Sequence, residues 1–146
     1  MKIKSYWVAM VLFASCSYCH ATGSGTWYHE GKAVVLPNVY AFRMPSPYED
    51  GKQITRIVFT SQVIDAGKIA AATDREAAVR GMLAGSDYLD LNLSITGEFA
   101  EIGEHEGYNR ASVSGSGWFT LKLAHNDDKR IEGTFRTNDA SKKNTG

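Results

Sequence analysis

The stretch Tyr88-Leu89-Asp90-Leu91-Asn92-Leu93-Ser94-Ile95 decides the fold class, because apolar and polar side chains alternate along its whole length. Successive side chains of a β-strand point to opposite faces, so the leucines would share one face and the polar groups the other. A strand with one buried face is typical of an antiparallel sheet. This stretch therefore predicts a half-buried strand in a mainly β domain.

Segments on both sides of this strand continue the β pattern. Further predicted strands are residues 26–30 and 32–42, which form a hairpin about Gly31, and residues 54–62, 111–124 and 130–137. Pro37 indicates an edge or a bulge in the second arm of the first hairpin, because proline cannot donate to a strand ladder. Gly115 and Gly117 indicate a bulge or bend within one long strand, 111–124. This strand would form the closing hairpin with 130–137.

Residues 65–84 break the β pattern, since alanine is frequent there and turn residues are few. Thr73-Asp74-Arg75-Glu76 resembles a capping box led by Thr73, and Gly85 would end the helix. Val79, Met82 and Leu83 would then face the core. The sequence thus predicts a single-domain antiparallel β-sandwich or partly open barrel of about six to eight strands, with one helix or two short ones.

Residues 1–21 have the features of a secretion signal, followed by a domain at 22–137 and a disordered polar tail at 138–146. Lys2 and Lys4 precede a short apolar run from Trp7 to Ala14. A run of this length is typical of a signal peptide and too short to span a bilayer. We therefore expect a periplasmic protein of the bacterial envelope.

Two cleavage sites fit the signal, and they predict different anchoring. Cys19-His20-Ala21 fits an ordinary signal peptidase site, which would release a free domain. Phe13-Ala14-Ser15-Cys16 resembles a lipobox, which would place a lipid on Cys16 and anchor the protein to the outer membrane. Cleavage after Ala21 would leave a domain without cysteine, so neither disulfides nor a cysteine zinc site would contribute to its stability.

The charge of the chain argues against nucleic acid or an anionic membrane surface as the partner. The sequence has 16 Lys and Arg and 16 Asp and Glu. Removal of the signal takes away two lysines and leaves the domain close to neutral. Nucleic-acid surfaces need clustered basic residues, which the sequence lacks.

The sequence has no recognisable catalytic, cofactor or metal motif. The domain offers His29, His105 and His125 as bases, but Ser112, Ser114 and Ser116 alternate along a strand and do not form a nucleophile elbow. Two carboxylate pairs, Asp87 with Asp90 and Glu98 with Glu101, could serve a glycosidase only at a defined separation. Glu101, Glu104, His105 and Glu106 lack metal-site spacing and favour a solvated hairpin loop.

Surplus aromatic residues near turns favour binding over catalysis. Residues 44–52 form the most irregular segment, with two prolines and a glycine, and such loops often carry recognition. Trp118 lies opposite in phase to Phe119, so it would either cover a second layer or anchor a partner. The predicted partner-binding residues are Tyr48, Glu49, Asp50, Glu101, Glu104, Glu106, Tyr108 and Trp118.

Three segments resemble a loose group of exported, mostly uncharacterised bacterial proteins with one small β-rich domain. They are Gly31-Lys32-Ala33-Val34 leading into Tyr40-Ala41-Phe42, then Arg56-Ile57-Val58-Phe59-Thr60, and finally Arg130-Ile131-Glu132-Gly133-Thr134-Phe135. Small envelope proteins of this design include immunity proteins and inhibitors of cell-wall hydrolases. The resemblance implies a non-enzymatic protein that binds a toxin or wall-active enzyme, but it transfers no functional residues.

Two other functions stay open at this point. A small-ligand carrier would enclose an apolar pocket lined by Gly115, Gly117 and aromatic residues. An envelope hydrolase would need a histidine beside a nucleophile or metal in a cleft. An exposed strand edge could also support a homodimer by extension of a sheet.

Overall fold

The computed structural model describes residues 8–10, 23–29, 32–96, 100–114, 119–126 and 131–137. Within these ranges the chain forms ten strands and two helices. In chain order they are β1 (Val8–Met10), β2 (Gly25–His29), β3 (Lys32–Leu36), β4 (Asn38–Pro45), β5 (Gln53–Thr60), α1 (Ala66–Ala71), α2 (Arg75–Met82), β6 (Tyr88–Ser94), β7 (Ala100–Glu106), β8 (Asn109–Ser114), β9 (Phe119–Asn126) and β10 (Ile131–Thr137).

The strands form three antiparallel sheets. The largest is a five-stranded meander in the order β4-β5-β6-β7-β8. A two-stranded sheet, β2-β3, and a three-stranded sheet, β1-β10-β9, complete the described part of the chain. There the large sheet ends at β4 and β8 and does not close into a barrel. The predicted β-rich sandwich is confirmed, with more strands than the six to eight expected.

One face of the five-stranded sheet packs against the two smaller sheets. Leu89, Leu91 and Leu93 of β6 point into this core, as the alternation predicted. The smaller sheets contribute Trp27 and Leu36 from β2 and β3, and Ile131 and Phe135 from β10. This core joins all three sheets into a single domain.

The two helices cover part of the opposite face. Ile69 of α1 and Val79 of α2 pack on apolar residues of β4, β5 and β6. Asp74 caps α2 by accepting a hydrogen bond from the backbone N–H of Ala77 at 2.9 Å, and Asp65 caps α1 in the same way. Of the two predicted alternatives, one helix or two short ones, the structure has two short helices. Thr73 is not the cap, because α2 begins one residue later than the capping box implied.

Two predicted strands are divided in the structure. Pro37 separates β3 from β4, and the two halves belong to different sheets. The predicted long strand 111–124 is also wrong, since β8 ends at Ser114 in the large sheet and β9 begins at Phe119 in another. Gly115 and Gly117 lie between them, outside the described residues. The closing hairpin is confirmed as the antiparallel pair β9-β10.

Part of the predicted secretion signal pairs with the domain. Val8–Met10 forms β1 along the outer edge of β10. Both cleavage sites, Cys16 and the tail 138–146 lie outside the described residues. Within the described ranges no helix is long and apolar enough to cross a membrane.

Candidate functional site

A buried polar network lies on the helix-covered face of the five-stranded sheet. Its members are Arg56 of β5, Asp90 and Asn92 of β6, and Glu101 and His105 of β7. Strand register brings them together, because Arg56 pairs with Asn92, Asn92 pairs with Glu101, and Asp90 lies two residues from Asn92 on the same face of β6. Every member is buried, and the expected half-buried strand β6 is therefore buried on both faces.

Arg56 joins the sheet to helix α2. Its Nε donates to Oδ1 of Asn92 at 2.8 Å, and its Nη1 lies 3.0 Å from Oε1 of Glu76. The same Nη1 lies 4.0 Å from Oδ2 of Asp90. A buried guanidinium needs partners for its charge and its N–H groups, and these contacts supply carboxylates for the charge and acceptors for Nε and Nη1.

Asp90 and His105 form the shortest ionisable contact in the network. Nε2 of His105 lies 2.8 Å from Oδ2 of Asp90, and the His105 ring stacks on Tyr88 with ring centroids 3.9 Å apart. A carboxylate can only accept, so Nε2 of His105 carries the hydrogen. The contact fixes both the orientation and the tautomer of the imidazole.

The surroundings of Asp90 keep it ionised. Burial is the largest influence and disfavours the charged form, but the hydrogen bond from His105, the charge of Arg56 and the smaller effects of His105 and Arg110 together outweigh it. The pKa of Asp90 therefore lies below its ordinary value. Tyr88 responds in the opposite sense, because burial and then the charge of Asp90 raise the pKa of its hydroxyl. The network thus holds a buried negative charge at neutral pH.

Gly103 makes room for this carboxylate. It pairs with Asp90 across β6 and β7, and a Cβ atom at position 103 would overlap Oδ1 of Asp90. No hydrogen-bond donor among the described residues reaches this oxygen. Close packing against the glycine therefore accompanies an oxygen that is buried without a hydrogen bond, which destabilises the fold at this point.

The network also holds an exposed loop. Nδ2 of Asn92 donates to the hydroxyl of Tyr48 at 3.3 Å and to Oε2 of Glu101 at 3.2 Å. Tyr48 belongs to the Tyr48 loop, which we define as residues 46–52, between β4 and β5. Although its hydroxyl is held at the network, the Tyr48 side chain is 47% exposed. The loop therefore presents an aromatic ring whose far end is fixed.

Internal hydrogen bonds give the Tyr48 loop a defined shape. Oγ of Ser46 accepts from the backbone N–H groups of Tyr48 and Glu49, both at 3.1 Å. The backbone N–H of Ser46 donates to the carbonyl of Lys52 at 2.9 Å, which closes the loop at its base. Gly51 has a φ of 71°, a conformation that glycine adopts without a steric penalty. The predicted irregular segment 44–52 is thus a folded turn over 46–52, because Met44 and Pro45 belong to β4 and pair with β5.

The structure places the predicted partner-binding residues that it describes in the Tyr48 loop, in the β7–β8 turn and in strand β7. Tyr48, Glu49 and Asp50 are exposed together in the Tyr48 loop. Tyr108 is 89% exposed in the β7–β8 turn, at the opposite end of β7 from Glu101. Seven strand residues extend over about 23 Å, so the two aromatic residues mark separate regions. Trp118 and Cys16 lie outside the described residues.

The predicted acidic loop is wrong, because its glutamates belong to strand β7. Glu101 is buried and bonded to Asn92 and Arg110, so it holds the network together and is not an exposed contact. Glu104 and Glu106 lie on the other face of β7, since alternate strand residues face opposite ways. Strand pairing with β6 and β8 overrides the turn character of this charged sequence.

The three histidines among the described residues are dispersed. His29 lies in β2, His105 in β7 and His125 in β9, which belong to three different sheets. Within the described ranges no group of three His, Cys, Asp or Glu side chains could hold a metal ion. Asp90 and His105 resemble two members of a catalytic triad, but only 8% of His105 is exposed. Asp90 and His105 can orient neighbouring groups, and the ring offers little surface to a substrate.

A groove of about 590 Å³ lies beside the Tyr48 loop. It separates the end of β4 from the connection between α1 and α2. Its lining combines apolar Met44, Pro45 and Pro47 with charged Arg43, Asp74, Arg75 and Glu76. Nη1 of Arg75 donates to the carbonyl of Arg43 at 3.1 Å across it. This mixed lining differs from the apolar pocket of a small-ligand carrier.

Motifs along the chain do not reveal the network, because its members lie on three strands and meet only when those strands pair. Arg56 interrupts the apolar strand Ile54-Thr55-Arg56-Ile57-Val58, and Asp90 and Asn92 occupy alternate positions of β6. An arginine within a buried strand needs a carboxylate or amide from a neighbouring strand. That requirement is the signal that could have located the network.

No protein-family model, curated protein sequence or solved structure shows significant similarity to this chain.

Proposed function

We propose that this chain is an exported, non-enzymatic binding protein of the bacterial envelope, which neutralises a toxin or a cell-wall-active enzyme by occluding it. The observation that carries the proposal is the tether between Asn92 and the hydroxyl of Tyr48. A half-exposed tyrosine with a fixed end is a suitable anchor for a protein partner.

Preorganisation explains why the network matters for binding. Ordering a loop during association reduces affinity, so a loop ordered in advance binds more tightly. The network holds the Tyr48 ring, and Ser46 holds the backbone that follows it. The buried charges of Arg56 and Asp90 would then serve binding indirectly, by keeping Asn92 in place.

The charges of the loop indicate the kind of partner. Glu49 and Asp50 lie beside Tyr48 and are exposed, and the one cation of the loop, Lys52, lies at its base, so the loop is net acidic. Carboxylates around an aromatic anchor favour a partner surface with Lys or Arg side chains and an apolar pocket for the ring. Interfaces of standard size need about 800 Å² from each partner, and the loop with its surroundings would form the centre of such an area.

The first experiment is a binding and inhibition assay. The purified protein is mixed with the product of the neighbouring gene, where that gene encodes a toxin or wall hydrolase. We expect a complex by size exclusion and calorimetry, together with loss of the partner's activity. Failure to bind any such partner, or a complex in which the partner remains fully active, would contradict the proposal.

A further inference from the structure

The outer edge of β10 is covered by a segment that both predicted cleavage sites would remove. Val8, Ala9 and Met10 of β1 pair with Phe135, Thr134 and Gly133 of β10. Cleavage before Cys16 and cleavage after Ala21 both take β1 away from the domain. Either product would have an open outer edge on β10, and open edges readily accept another strand.

The pairing with β1 shows that this edge can hold an antiparallel strand. Three consecutive pairs are centred on Thr134, and no register shift occurs on this side. The irregularity between Glu132 and Gly133 lies on the side that faces β9. The outer side of β10 is therefore a regular template around Thr134.

The sequence of β10 is complementary to itself about the same residue. In an antiparallel pair of two β10 strands centred on Thr134, Glu132 of one copy lies opposite Arg136 of the other, and the reverse pair forms as well. Directly opposite residues share a face, and opposite charges at such positions attract. In the same register Phe135 lies opposite Gly133, so no two large side chains face each other at this pair; the space over Gly133 is already filled by Lys122 and Leu123 of β9.

The burial of the β10 residues agrees with these pairs. Ile131, Gly133 and Phe135 are buried and point into the sandwich, whereas Thr134 is exposed. Glu132 and Arg136 share the phase of Thr134, so their ion pairs would form on the outer face.

We infer that removal of the leader exposes β10 as the interface of a two-fold homodimer, in which two copies pair antiparallel about Thr134. Such an interface is isologous, as most dimer interfaces are. The leader would keep the precursor monomeric by occupying the edge until cleavage. This inference rests on leader removal and is independent of the partner proposed above, because the Tyr48 loop belongs to another sheet.

The test compares the 146-residue chain with the exported product by sedimentation velocity and light scattering. We expect a monomer for the chain that retains β1 and a dimer for the exported product. Glu132→Arg and Arg136→Glu each place like charges opposite one another in the homodimer, and each variant alone is expected to be monomeric. An equimolar mixture of the two variants restores both ion pairs and is expected to form a heterodimer.

Each other result would overturn the inference. An exported wild-type protein that stays monomeric at all concentrations has no such interface. A dimer that persists in both single variants uses another surface, and monomers that do not associate on mixing exclude this register. Circular dichroism of each variant verifies that it is folded. A heterodimer on mixing verifies this independently, because misfolded chains would not associate in this register.

Discussion

Replacement of Asp90 by asparagine is predicted to destabilise the domain at neutral pH by about 3 kcal/mol. Removing one partner of a buried ion pair costs about 3–5 kcal/mol. The Asp90 side chain is 1% exposed, so solvent does not screen its contacts. We expect the lower end of the range, because Arg56 keeps its contacts with Glu76 and Asn92.

The same variant should change how stability depends on pH. The pKa of Asp90 is lowered in the folded protein, whereas the pKa of an aspartate in an unfolded chain is about 3.9. Folding therefore favours the ionised form. Its contribution to stability is present above about pH 4 and is lost as the pH falls through the folded pKa. The gap in unfolding free energy between wild type and Asp90→Asn should narrow as the pH is lowered from 5 to about 2.

Urea unfolding followed by tryptophan fluorescence measures both effects. Asp87→Asn is the matched control, because Asp87 is an exposed carboxylate whose Oδ1 accepts from the backbone N–H of Gly107 at 3.0 Å. The control should change stability by less than about 0.5 kcal/mol. A loss below about 1 kcal/mol for Asp90→Asn at pH 7, or a gap that does not depend on pH, would refute the role given to the ionised Asp90.

Two glycine substitutions should have opposite effects on the free energy of unfolding, measured in the same assay. Gly103→Ala places a methyl group where Oδ1 of Asp90 lies, and we expect a loss of about 1–3 kcal/mol; an unchanged midpoint would contradict this packing. Gly81→Ala lies in helix α2 with no atom within 4 Å of the new Cβ, and it should stabilise by about 0.5–1 kcal/mol. A destabilised Gly81→Ala variant would argue against the helix at this position.

The sequence predicted the elements whose pattern is local. Leucine alternation in residues 88–95 identified β6, and the alanine-rich segment identified the helices. Pro37 was recognised as an irregularity, but its consequence, a change of sheet between β3 and β4, depends on which strands pair. Local pattern cannot supply that information, because pairing joins residues distant along the chain.

The sequence predicted the loop of the candidate site but not the buried network beneath it. The irregular segment about Tyr48 was identified by its prolines and glycine, and the structure folds it as an exposed loop. Glu101 and His105 looked like solvated charges because charge alone favours exposure. Their burial arises from partners on β5 and β6, which a linear sequence does not bring together.

The most direct test of the central claim is the affinity of the protein for its toxin or wall-hydrolase partner when the Tyr48 anchor is removed. Tyr48→Ala is compared by calorimetry with Tyr28→Ala, which removes an exposed tyrosine from β2, in another sheet. We predict that Tyr48→Ala raises the Kd about 30-fold, equivalent to about 2 kcal/mol, while Tyr28→Ala stays within about threefold of wild type. Equal affinities for wild type and Tyr48→Ala would contradict the account.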